Sequence, residues 1–173
     1  MSTAVPIDPS KLLEAARDFA DHHGGAGRPR PIWLRRAVSA AYYALFHTVV
    51  LETADHLLPN CAAADRLHVA RSFGHGPVKE VCRFVTGRSS APPQAATLVA
   101  GLRSTPIGDV AHALVDLQER RHAADYDHLA AFSKASVLNA IQDAADAIEK
   151  LRMASRRDRE AFFTLLALKT GLR

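Results

Sequence analysis

The segment from Lys134 to Met153 limits the fold more than any other part of the chain. Val137, Ile141, Ala144, Ile148 and Leu151 recur at i, i+4, i+7, i+11 and i+14, so one side of a helix is apolar along its length. A stripe of that length needs a long apolar surface to cover it, and other helices provide one. Alanine and leucine are abundant, aromatics make up 6% of residues, and no strand-like alternation of Val, Ile, Thr and Tyr occurs. These features predict an all-α fold. A chain of 173 residues is long enough for one such domain with a substantial core.

Further helices follow from local signals. Asp8 or Ser10 can cap a first helix that carries Leu12, Leu13, Ala16 and Phe19 up to a break at HHGGAG. After the GRPRP linker, a long helix is expected from about Ile32 to Leu58, with Leu34, Val38, Ala41, Leu45 and Val49 at core spacing. The segment DRLHVARSFGHGPVKEVCRFV reads as two short helices, or one interrupted at GHGP. Residues 94 to 103 can form a short helix, Thr105 and Pro106 suit the start of the next, and Ser133 can cap the Lys134–Met153 helix. The expected architecture is an antiparallel up-and-down bundle of four to five main helices with short extra helices. It spans residues 1–153, and residues 154–173 form a basic amphipathic C-terminal helix or tail.

Charge is unevenly distributed. The formal net charge is +4, but residues 150–173 hold seven Lys or Arg against two acids, which leaves the remainder near −1. A wide basic face for nucleic acid is therefore not indicated, and the tail reads as a solvated helix or accessory contact. In that tail Phe162, Phe163, Leu165, Leu166 and Leu168 must cover either the chain's own core or a partner. Cys61 and Cys82 lack metal-ligand spacing and fit a reduced compartment. The N-terminal residues do not resemble a secretory signal, and AAYYALFHTVVL is too short and polar to span a bilayer, so a cytoplasmic protein with no membrane association is expected. The nine histidines form no H-E-x-x-H pattern, and HHGGAG and FGHGP lack the Lys and strand context of a phosphate loop. Neither a metal nor a cofactor is expected.

Two clusters carry chemistry. On the helix after Pro106, the face of Ile107, Val110, Ala111, Leu114, Leu117 and Gln118 continues into Arg121 and Asp125. A guanidinium on a half-buried stripe needs a carboxylate, carbonyl groups or a bound anion. One reading is an Arg121–Asp125 pair closing the helix end, with Tyr126 packed beneath it and His128 in solvent. The other is a site in which Arg121 holds a phosphate and His128 moves protons, which suffices for RNA cleavage by the neighbouring 2′-hydroxyl. On the long second helix Arg36, Tyr43 and His47 share a polar stripe, either as a partly exposed face or as further site residues.

RRAVSAAYYALFH, residues 35–47, and RHAADYDH, residues 121–128, together resemble the HEPN superfamily, named for a nucleotide-binding domain of higher eukaryotes and prokaryotes. Its members carry a pattern like R-A-x-S-x-A-Y-Y-A-x-F-H early and R-x-x-A-D-Y later. RSFGHGPVKEVC also looks like a family element between them, and the resemblance covers residues 10 to 152. It implies a helical bundle that acts as a metal-independent endoribonuclease leaving 2′,3′-cyclic phosphate ends, in a toxin–antitoxin or phage-defence setting. Arg121 and His128 would be catalytic, with His122, Asp125, Tyr126, Arg36, Tyr43 and His47 supporting or binding substrate, in a site shared across a homodimer. The resemblance is equally compatible with a non-catalytic module that binds a nucleotide, RNA or a partner nucleotidyltransferase. A structural dimerisation bundle is the third reading.

Overall fold

The computed structural model describes residues 7–22 and 30–170, so the expected HHGGAG break and GRPRP linker lie mostly outside the described residues. Eight α-helices account for most of the described residues, and no strand occurs among them. They are α1 (Pro9–Asp21), α2 (Pro31–Leu57), α3 (Ala63–Ser72), α4 (His75–Val85), α5 (Ala96–Leu102), α6 (Pro106–Tyr126), α7 (Lys134–Met153) and α8 (Arg156–Thr170). A single 3₁₀ turn, Pro93–Ala95, leads into α5.

The caps explain several of the boundaries. Asp8 accepts a hydrogen bond from the Ser10 backbone N–H at 2.9 Å, which starts α1. Thr105 accepts from the Ile107 N–H, and Pro106 supplies a fixed φ where no donor is needed, so α6 begins there. Ser133 and Ser136 cap α7 reciprocally: each hydroxyl accepts the other residue's backbone N–H at 3.1 Å. The turn into α6 is tight as well. A Cβ at Gly108 would lie 2.1 Å from the Arg103 carbonyl oxygen, so only glycine lets the backbones approach this closely.

The interruption near GHGP falls earlier than the Gly and Pro residues suggest. Phe73 closes α3, Gly74 precedes α4, and His75, Gly76 and Pro77 all lie in its first turn, where a proline removes no required hydrogen bond. This puts His75 at a helix start that faces the interior.

Helix α2 is the central element. It packs against α1, α3, α6, α7 and α8, and Leu34, Val38, Ala41, Leu45 and Val49 are buried together with Ala37, Ala40, Tyr42 and Ala44 from its other sides. A helix enclosed this way has no single apolar face. Its burial is relieved along Arg36, Tyr43 and His47. The α7 stripe packs inward as its spacing requires, with Val137, Ala144 and Leu151 fully buried. Helix α8 places Phe162, Phe163, Leu165 and Leu166 in the same core, each buried side chain contributing about 1.5–3 kcal/mol relative to exposure. Its apolar residues therefore cover the chain's own interior, and Leu168 stays exposed. Among the described residues no helix is long and apolar enough to cross a membrane.

Candidate functional site: a cleft between two helices

The N-terminal half of α2 and the C-terminal turns of α6 face one another across a cleft of about 420 Å³, lined by Arg36, Ser39 and Tyr43 from one helix and Arg121, Asp125 and Tyr126 from the other. The α6 end is fixed from below by a residue that sequence reasoning passed over. Arg35 donates from Nη1 to the carbonyls of Ala124 at 2.8 Å, Asp127 at 2.9 Å and Ala123 at 3.4 Å, and from Nη2 to Ala130 at 2.6 Å. The last carbonyls of a helix have no partners within it, and the guanidinium fork satisfies several at once. It also lies over the Phe132 ring. Arg35 thereby locks the turn after α6 onto α2.

Within the cleft the side chains form a chain of contacts. Ser39 donates to Asp125 Oδ1 at 2.7 Å, Asp125 Oδ2 lies 2.7 Å from Arg121 Nε, and Arg121 Nη2 donates to the Tyr43 hydroxyl at 2.9 Å. The guanidinium also sits over the rings of Tyr43 and Tyr126, 5.4 and 5.6 Å from their centroids. The Arg121 side chain is 18% exposed. Burial opposes its charge, but Asp125 and Tyr43 outweigh that and raise its pKa above the ordinary arginine value. The Nε–H is not aligned with the carboxylate oxygen, so the contact is ionic and that donor lacks a hydrogen-bond acceptor. The Nη1 nitrogen makes no hydrogen bond among the described residues, so Arg121 keeps donor capacity beside an open cleft.

The Arg121–Asp125 pair of the first reading is present, but Tyr126 is 61% exposed rather than packed beneath it; a cleft opens beside the pair. Arg36 lies exposed on the opposite wall, with no hydrogen bond or ion pair among the described residues. His122 is exposed and leans on Tyr126, with ring centroids 5.0 Å apart. His128 lies in the exposed turn after α6 and makes no hydrogen bond, ion pair or ring contact among the described residues. His47 stacks on Tyr43 at 5.9 Å one helical turn further along α2, and its half-buried position lowers its pKa.

His75 joins this cluster although its helix is remote in sequence. Its Nδ1 lies 2.7 Å from the hydroxyl of fully buried Tyr42, and its ring packs 4.1 Å from Phe46 and 5.7 Å from Tyr43. The Tyr42 hydroxyl is best satisfied by donating to Nδ1, which leaves the proton of neutral His75 on Nε2. Burial, then the Arg121 cation and His47, lower the His75 pKa. The signal that points to it in the sequence is the family-like RSFGHGPVKEVC stretch, not helical spacing.

Elsewhere, a larger cavity of about 540 Å³ lies between the end of α2 and the start of α8. Its lining carries the carboxylates of Glu52, Asp55 and Glu160 against Arg156 and Arg159, so its charge balance disfavours an anion although Arg159 Nε has no hydrogen-bond acceptor. The smaller α2–α6 cleft, with Arg35, Arg36 and Arg121 against Asp125 alone, is the better anion site. Among the described residues no group of three or more His, Cys, Asp or Glu is disposed to hold a metal ion, and Cys61 and Cys82 are free. None of the protein-family models, curated proteins or solved structures compared with the chain matches it.

Proposed function

We propose that the chain is an HEPN-type helical module whose α2–α6 cleft binds the phosphate of an RNA or nucleotide. The observation that carries this reading is Arg121: a partly buried guanidinium on the wall of an open cleft, oriented by Asp125 and Tyr43, whose Nη1 makes no hydrogen bond among the described residues. A planar fork held in one orientation suits a tetrahedral phosphate, and Arg36 adds a second cation from the facing wall. Tyr43 and Tyr126 line the same cleft with aromatic surface. The family-like segments supply most of these groups.

The test is to follow the Arg121 Nε–H resonance by NMR while adding inorganic pyrophosphate or a nucleoside monophosphate. A saturable shift of that resonance is expected, with accompanying backbone amide shifts around the cleft that are lost in Arg121→Gln. No shift up to millimolar ligand would reject the phosphate site.

His128 favours a second reading, a metal-independent endoribonuclease. It is exposed and unpaired, on the turn that directly follows the helix carrying Arg121. An imidazole would take the proton of the RNA 2′-hydroxyl as that oxygen attacks phosphorus; the 5′-oxygen leaves with a proton from a second imidazole, and Arg121 stabilises the phosphoryl charge. A homodimer would supply the second imidazole and set His128 of one copy against Arg121 of the other. Cleavage in excess EDTA that yields 2′,3′-cyclic phosphate ends, and is lost in both Arg121→Ala and His128→Ala, is the result this reading requires.

A further inference from the structure

A second concavity, of about 260 Å³, borders α2 and α3. Phe46, Phe73, Leu51 and Leu67 line it, and His47 and Arg71 contribute polar groups. This volume is smaller than the roughly 300–1,000 Å³ of pockets that take drug-sized ligands, and it suits one planar ring system. Its position relative to the cleft gives it meaning. Tyr43 lines the cleft, His47 lines the concavity, and the two rings stack with their planes 22° apart. Positions four apart on α2 are offset by about 6 Å along the helix axis. Cationic Arg121 and Arg36 therefore lie on one side of an aromatic partition, and a largely apolar slot lies on the other.

We propose that this slot is a nucleobase subsite, which seats one base of the ligand whose phosphate is held at Arg121. The inference rests on the phosphate reading above and adds the ligand class: a single-stranded, unpaired nucleotide unit, because a base within a duplex enters such a slot only after its pair and stack are broken, which takes from the binding energy. Apolar and aromatic walls favour any base through its faces, as in proteins that hold single strands by stacking. His47 offers a hydrogen bond to the base edge, and Arg71 meets a flanking phosphate. The slot and the cleft together read one base and its backbone.

The test compares a fluorescein-labelled single-stranded RNA with an abasic ribose-phosphate oligomer of the same length and charge, by fluorescence anisotropy. Wild-type protein is expected to bind the base-bearing strand about tenfold more tightly, since loss of base–aromatic stacking commonly costs that much. Leu67→Trp, which fills the slot, should bring the ratio of the two affinities near one. Strands containing 4-thiouridine should photocrosslink to peptides that contain Phe46, His47 or Phe73. Equal wild-type affinity for the two strands, both weakened by Arg121→Gln, would overturn the subsite and keep the phosphate site. A ratio unaltered in correctly folded Leu67→Trp, with crosslinks elsewhere, would also overturn it. Failure of both strands to bind would overturn the subsite and the phosphate reading together.

Discussion

Arg121 donates a hydrogen bond to the Tyr43 hydroxyl while Asp125 lies at its Nε, so two neighbours from different helices orient one guanidinium. Asp125 stabilises that cation but also competes with any anion that approaches it. The two roles have opposite consequences when the carboxylate charge is removed. Asp125→Asn is expected to destabilise the fold by about 1–3 kcal/mol, because a partly buried cation loses its counter-charge. The same substitution should tighten binding of phosphate-bearing ligands. Chemical denaturation and ligand titration of one preparation measure both; lower stability with weaker binding would leave Arg121 as a purely structural residue.

Tyr43→Phe separates the phenol from the ring. The guanidinium keeps its aromatic platform and loses one acceptor, so a loss of about 0.5–1.5 kcal/mol is expected from urea unfolding. A loss above 3 kcal/mol would mean that the hydroxyl does more than receive this hydrogen bond.

Arg35 should be intolerant of conservative change. A lysine ammonium cannot satisfy the spread of carbonyls at Ala123, Ala124, Asp127 and Ala130. Arg35→Lys is expected to cost about 1–3 kcal/mol and to raise amide exchange selectively in residues 127–130. Unchanged exchange there would show that the turn does not depend on this side chain.

Acid should weaken the fold through His47 and His75. Both have pKa values lowered from 6.5 by burial, and Arg121 adds to the effect at His75. The unfolded chain therefore binds protons at a higher pH than the native one. This contribution to stability is complete above the unfolded value and is lost as pH falls below about 6.5 towards the native pKa values. Glu52, whose pKa is raised mainly by burial, has the opposite sign, with its contribution lost as pH rises. Urea midpoints across pH 5 to 7 should show a decline towards acid that His75→Gln makes shallower. A decline of unchanged slope would assign it to other groups.

Local order was largely legible from the residues. The Lys134–Met153 helix follows from its apolar spacing, and Thr105 and Ser133 mark helix starts because their hydroxyls accept backbone donors. What lay beyond reach was set by tertiary packing. Arg35 and Arg36 are adjacent and chemically identical, yet successive positions on a helix point about 100° apart, so Arg35 is spent on the α6 carbonyls while Arg36 stays exposed and unpaired among the described residues at the cleft wall. His75 meets Tyr42 across 33 positions, a contact no helical period reveals. The enclosure of α2 erased the amphipathic signal along the helix that matters most to the site. At the candidate site the Arg121–Asp125 spacing could be read, whereas Ser39 as the partner of Asp125 could not.

The most direct test of the central claim is the affinity of the wild-type chain and Arg121→Gln for an end-labelled single-stranded RNA, measured by anisotropy in EDTA at low and moderate salt. Circular dichroism should first confirm equal helicity. Saturable binding by wild type that weakens with salt, and falls about tenfold or more in Arg121→Gln, is the expected result. Equal binding by the two proteins, or none by either, would contradict a phosphate site at Arg121.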